Sequence, residues 1–225
     1  MEIKNNLVFN KERLIENINY INYFLLKHEM NWTFVIKAFN SYPDYFIEEI
    51  AKIPCSSFAS DNENHLEIIK RQNSKVETWF INYSGERQYN DFIDVNLTHS
   101  HEFISDKTCL MLALDPERYG SIYNPDFSCK RFGAYLDCTK APDISFYDLW
   151  AELGISPLLT QSLGTSVSFD RIDLLKSKGV NHFRLGELVL TGKSLIDGTN
   201  VKGLRQDVFM SNKSLSYHII SNLNL

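Results

Sequence analysis

The stretch Phe169-Asp170-Arg171-Ile172-Asp173-Leu174-Leu175-Lys176-Ser177-Lys178-Gly179-Val180-Asn181-His182-Phe183-Arg184-Leu185-Gly186-Glu187 contains one complete architectural unit. From Phe169 to Lys178 the apolar residues fall three and four apart, the spacing of a helix laid on a sheet. Gly179 follows directly, where a left-handed stop is cheap only for glycine. Asn181–Leu185 then reads as a short strand, and Gly186-Glu187 as the turn leaving it.

Working outward, the same alternation recurs along the chain. Strand-like runs are Thr33–Lys37, Cys55–Ala59, Val76–Ile81, Ile93–Leu97, Cys109–Leu114, Phe132–Leu136, Pro157–Gln161 and Asn181–Leu185. Helical spacing covers Asp44–Lys52, Asn62–Gln72, Ile144–Leu153 and Phe169–Lys178, with Gly154 placed after the third as Gly179 is after the fourth. An additional helix, from Lys11 to about His28, precedes the first strand and is marked by Leu14, Ile15, Ile18, Ile21, Leu25 and Leu26. Eight strands with intervening helices predict an α/β protein: one (β/α)8 barrel domain over residues 1–225 with an extra N-terminal helix. The connection Pro116–Lys130, with two prolines and Gly120, reads as irregular where a fifth helix belongs, and Ser84–Asn90 is short for a helix. An open α/β sheet is the alternative architecture.

Composition excludes several classes. At 225 residues, 44% hydrophobic and 13% aromatic, the chain has the apolar surface that disordered or collagen-like sequences lack. With 28 acidic and 23 basic residues the net charge is -5, so nucleic acid is not an expected partner. No apolar run approaches the roughly 18 residues of a membrane span. The N-terminus shows no secretory pattern, which predicts a cytoplasmic protein. Cys55, Cys109, Cys129 and Cys138 lack C-x-x-C spacing and read as four free thiols. His99 and His101 lack a carboxylate constellation, so no metal site is expected.

In a barrel the chemistry gathers at the carboxyl ends of the strands. There Lys37 ends Phe34-Val35-Ile36-Lys37, a run expected to be buried on both faces. An amine in such surroundings loses its proton more readily and suits Schiff-base chemistry. Ser162-Leu163-Gly164-Thr165-Ser166 reads as a turn between a strand and a helix, where backbone N–H groups and the Thr165 and Ser166 hydroxyls would face an anion. Arg184-Leu185-Gly186-Glu187 supplies a second small-residue turn after the next strand.

Val35-Ile36-Lys37-Ala38, Ser162 to Ser166 and Phe183-Arg184-Leu185-Gly186-Glu187 stand in the order and spacing of alanine-racemase-like proteins, the barrel class of pyridoxal-phosphate enzymes. Asn181 to Gly192 and Gly203-Leu204-Arg205-Gln206-Asp207-Val208-Phe209 resemble the ornithine/lysine racemase branch. The resemblance covers residues 1–210. It implies pyridoxal 5'-phosphate as cofactor and an amino acid as substrate, with Lys37 as Schiff-base lysine and proton-transferring base. It further implies that Ser166, beside Thr165, and the backbone N–H groups of Gly186 and Glu187 hold the phosphate. Arg184 matches the arginine that faces the pyridine nitrogen; a permanently charged guanidinium there favours Cα proton exchange over decarboxylation. Leu112 to Gly120 resembles the segment carrying an arginine toward the cofactor's phenolic oxygen or the substrate carboxylate, which nominates Arg118 as a catalytic residue. Lys130-Arg131-Phe132-Gly133 is a rival version of that motif, but the strand order puts Arg131 at the opposite barrel end.

Two features depart from the pattern. The tyrosine that reaches the phosphate in alanine racemases has its nearest counterpart, Tyr42, one residue late. Typical racemases also carry a second, mostly β domain whose tyrosine crosses a dimer interface as the opposite-face base. The residues after Met210 suffice for one strand or helix, so that base is expected to be missing or to come from elsewhere, with a homodimer or another partner subunit compatible. These departures keep two other readings open: a non-catalytic single-domain pyridoxal-phosphate-binding homeostasis protein, and a degenerate barrel that binds a partner.

Overall fold

The computed structural model describes residues 7–86, 90–114, 120–135, 144–164 and 171–211. Its elements are β1 (Leu7–Phe9), α1 (Lys11–Lys27), β2 (Asn31–Val35), α2 (Asp44–Ile50), β3 (Ser57–Ser60), α3 (Glu63–Gln72), β4 (Glu77–Asn82), β5 (Val95–Thr98), β6 (Thr108–Leu112), β7 (Arg131–Tyr135), α4 (Ile144–Glu152), β8 (Thr160–Gly164), α5 (Ile172–Ser177), β9 (His182–Leu185), α6 (Glu187–Thr191) and β10 (Phe209–Ser211). Strands β2 to β9 pair in parallel and in sequence order, and β9 returns to β2 through Asn31↔His182, Trp32↔Phe183, Thr33↔Arg184 and Phe34↔Leu185. The sheet is therefore a closed eight-stranded barrel, as the sequence predicts, and not an open sheet.

Period-two alternation sorts each strand into an inner and an outer face. Phe34, Phe58, Leu110, Phe132, Leu163, Phe183 and Leu185 point outward and pack in one core with Ile18 and Ile21 of α1, Ile47 of α2, Leu66 of α3 and Trp150 of α4. A separate buried cluster, Ala59, Trp79, Ile81, Val95, Leu97, Cys109 and Met111, fills one side of the barrel interior. The helix ends follow local chemistry: Asn10 caps α1 by accepting from Arg13 N at 3.1 Å. Gly179, after α5, has φ of +93°, the left-handed conformation its position called for. Residues 120–130, between β6 and β7, contain no helix, in line with the irregular fifth connection. No described helix is long and apolar enough to cross a membrane.

Three elements lie outside the sequence reading. β1 and β10 form an antiparallel pair, Leu7↔Ser211 to Phe9↔Phe209, separate from the barrel. The eighth barrel turn carries the short helix α6, ended by Gly192 at φ of +63°. The expected strand Pro157–Gln161 is also displaced: β8 begins at Thr160. Leu159 N bonds Ser156 O at 3.0 Å in a turn that leaves Leu158 94% exposed. The register is then set by Gln161, whose N–H donates to Asn181 Oδ1 (2.7 Å) and whose Oε1 accepts from Trp150 Nε1 (2.9 Å). Ser162 and Gly164 thus belong to the strand, not to the turn after it.

Candidate functional site

Lys37 opens a 3-10 turn, Lys37–Phe39, just past the end of β2. Ile36 N still bonds Ala59 O (2.8 Å), so the strand's pairing runs up to the residue before the lysine. Phe39, fully buried, meets the rings of Phe34, Tyr42 and Phe46 at centroid distances of 6.5, 5.5 and 5.1 Å. This wedge holds the turn, and the lysine it presents is half-buried. The expectation of burial on both faces is corrected: the strand stops at Val35, so the lysine sits on the rim and not within the sheet. Its Nζ lies 3.5 Å from Tyr83 Oη, at the end of β4. Asn40 Nδ2 donates to Asp61 Oδ1 at 2.7 Å on the same rim.

Below this rim, on the interior face of β9, stands Arg184, 5% exposed. Its Nη1 donates to the carbonyl and hydroxyl oxygens of Ser162 (3.0 and 2.6 Å) and its Nη2 to Ala134 O (2.8 Å). Its guanidinium carbon lies 5.3 Å from the centre of the Tyr135 ring. Space for this head comes from two glycines: a Cβ at Gly164 would stand 2.6 Å from Nη2, and one at Gly133 3.1 Å from Nη1. Among the described residues no carboxylate pairs with Arg184. Burial lowers its pKa, yet an arginine stays charged.

The contacts continue inward. A guanidinium can only donate, so the Ser162 hydroxyl accepts from it and gives its own proton to His182 Nδ1 at 2.7 Å. That assignment puts the imidazole hydrogen on Nε2, which faces Thr33 Oγ1 at 3.0 Å; Thr33 and Ser57 hydroxyls lie 2.7 Å apart. Burial, then the charges of Arg184 and Arg131, push the His182 pKa down to about 3, which keeps the ring neutral. Trp79 stacks on it at 4.7 Å and 8°. Burial raises the Tyr135 phenol well above its ordinary range, with Arg184 opposing, and lifts the Cys109 thiol to about 12.

Gly186 joins β9 to α6, and a Cβ there would stand 3.0 Å from Val35 O, so the turn rides directly on β2 near Lys37. Glu187 heads α6; burial raises its carboxyl pKa. Thr165, Ser166 and Arg118 lie outside the described residues. Arg131 is the first residue of β7, at the amino end of the barrel, where Nη2 meets Glu77 Oε1 at 3.2 Å; the strand order had put it there. Tyr42 is packed between Phe39 and Phe46, and burial raises its pKa. Cys55, Cys109 and Cys129 are buried and free, and Cys138 lies outside the described residues.

The structure therefore brings Lys37, Arg184, Gly186 and Glu187 to the ends of adjoining strands β2 and β9. Sequence reasoning missed His182, Ser162 as an interior residue, Tyr135 and Tyr83. The signal for His182 was present: it lies two residues before Arg184, on the same face of a strand.

No family model matches the sequence, and no curated protein is significantly similar to it. Solved structures do match. Alanine racemase from Bartonella henselae, with covalently bound pyridoxal phosphate, superposes with a TM-score of 0.68 at 13% identity, over 91% of this chain and 68% of that one. Alanine racemase from Corynebacterium glutamicum gives 0.65 at 11% identity, over 89% and 66%. The lysine/ornithine decarboxylase from Vibrio vulnificus gives 0.57 at 8% identity, over 83% and 64%. The chain has the barrel fold shared by alanine racemases and lysine/ornithine-type decarboxylases.

Proposed function

We propose that the barrel binds pyridoxal 5'-phosphate at Lys37 and exchanges the Cα proton of an amino acid, acting as a racemase. The observation that carries this reading is Arg184: a buried cation, fixed by three neutral acceptors and paired with no carboxylate among the described residues. Burying such a charge costs several kcal/mol, and the cost makes sense where a ligand atom accepts from its remaining N–H groups. The residue set suits the cofactor. Lys37 offers a primary amine at the rim, Arg184 a fixed donor inside it, and the turn Gly186-Glu187 backbone N–H groups over β2.

When bound, the cofactor supplies a conjugated ring that spreads the electron pair left at Cα. The chain's own residues do the rest. Lys37 would hold the aldehyde carbon and move the Cα proton on its own face, while the opposite-face proton that inversion needs would come from a second base outside the described residues. Arg184 would donate to the ring nitrogen and keep it free of a proton, because a second positive charge beside a buried guanidinium is disfavoured. Electron withdrawal by the ring would then be moderate, which would favour proton exchange at Cα over loss of carbon dioxide. Gly186 and Glu187, with Ser166 and Thr165 by resemblance, would hold the phosphate, and Arg118, also by resemblance, would face the phenolic oxygen or the substrate carboxylate.

The test is direct. Incubate the protein with pyridoxal 5'-phosphate, reduce with borohydride, and compare with Lys37→Ala; then offer single enantiomers of alanine, ornithine, lysine, serine and glutamate in deuterium oxide. Fixed cofactor that depends on Lys37, with Cα deuterium and lost optical rotation for one substrate, supports the racemase. Fixed cofactor with silence across the panel supports a carrier. No uptake defeats both readings.

A further inference from the structure

A lysine that takes a proton from carbon must also give up protons to, and regain them from, the surroundings. Among the described residues the interior polar chain begins at Arg184, which cannot accept, and runs through Ser162 to His182, which is buried and neutral. Among the described residues, two tyrosines face Lys37 or Arg184 at the carboxyl end of the barrel. The Tyr135 ring lies under Arg184, and its buried phenol is pushed far up the scale, so it gives up its proton reluctantly and passes none on to solvent. Tyr83 is 53% exposed, and its hydroxyl oxygen is 3.5 Å from Lys37 Nζ, oriented to accept from it.

The loop behind Tyr83 is built to keep it there. Asn82, the last residue of β4, folds its side chain back so that Oδ1 accepts from Ser84 Oγ (2.9 Å) and Gly85 N (3.0 Å), while Nδ2 donates to Glu86 O (2.7 Å). Gly85 takes φ of +72°, and a Cβ on it would press within 3.1 Å of Ser100 Cβ. A buried asparagine and a left-handed glycine thus fix the turn from which the tyrosine reaches Lys37.

We infer that Tyr83 is the proton carrier of Lys37, linking its amine to solvent across the barrel rim. This rests on the reading of Lys37 as the reactive amine. The step is a relay: an Nζ–H bond of the ammonium breaks as its proton passes to Tyr83 Oη, and the Oη–H bond breaks as that proton passes to water or a buffer base. Lys37 is left a neutral amine and Tyr83 a phenol again; the reverse reloads Lys37.

The full chain, freed of any carried cofactor, is mixed with pyridoxal 5'-phosphate, and the growth of visible Schiff-base absorbance is followed by stopped flow, with borohydride-fixed Lys37 counted at completion. An attacking amine must first lose a proton, so Tyr83→Phe should slow capture several-fold while fixing the same final amount. Imidazole buffer should restore much of the rate in the variant and change the wild-type rate little. Because the ring is largely exposed, the variant's thermal unfolding should match the wild type. Equal capture rates, or a slow variant that imidazole does not rescue, overturn the inference and leave the cofactor reading standing. Wild-type protein that captures nothing at Lys37 overturns both.

Discussion

The Ser162 hydroxyl accepts from Arg184 Nη1 at 2.6 Å, and through that contact an arginine that can only donate sets the direction of a buried polar chain running to His182, Thr33 and Ser57. Ser162→Ala removes the junction and leaves a guanidinium N–H and His182 Nδ1 unpaired in the barrel. Each buried, unmet polar group costs about 1–3 kcal/mol, so urea unfolding should show a loss of at least that size. A neutral result would mean the groups find other partners.

His182 makes stability depend on acidity. Its folded pKa is lowered to about 3, below the ordinary value of 6.5, so between those two values the unfolded chain binds more protons. Stability should therefore be complete above about 6.5 and fall as pH drops toward 3, by up to about 1.4 kcal/mol per pH unit. His65, also pushed down by burial, adds to the same slope. Asp94 and Glu49, whose pKa values are lowered, add to the loss only in its acid part, below their ordinary values of 3.8 and 4.5. Denaturation over a pH series should show the decline, and His182→Gln should flatten most of it.

Gly164 is the position least able to accept a side chain at this site, since its Cβ would stand 2.6 Å from Arg184 Nη2. Gly164→Ala should displace the guanidinium, cost about 1–3 kcal/mol as other overpacked cores do, and lower Cα exchange. Unchanged exchange would show that the arginine's placement does not matter to the chemistry.

Arg131 supplies the contrast. It pairs with Glu77 at the amino end of the barrel, with side chains 26% and 38% exposed. Arg131→Ala should cost about 1 kcal/mol or less and leave cofactor fixation and Cα exchange near wild type. A large loss of either would return Arg131 to the site in place of Arg118.

The barrel was legible because its outward faces, such as Phe34, Phe58, Phe132 and Phe183, announce each strand by bulk and hydrophobicity. The reading slipped where the inward face is polar or small. At β8 the pull of Leu158 and Leu159 drew the strand toward residues that lie in a turn, while Ser162 and Gly164, which face Arg184, looked like loop. Lys37, Arg184 and Gly186 were found because strand ends in a barrel point to one rim. His182 was not, since its neighbours Ser162 and Thr33 come from distant segments and only the closed sheet brings them together. Tyr83 was not legible because it follows the strand end at Asn82, whose side chain serves the turn, and only the closed barrel sets it opposite Lys37.

The central claim concerns one amine, and peptide mapping measures it most directly. After addition of pyridoxal 5'-phosphate and borohydride, digestion and mass spectrometry should find the pyridoxyl mass on the peptide containing Lys37, stoichiometric and lost in Lys37→Ala. Label scattered over surface lysines, or equal labelling in the variant, would contradict the account.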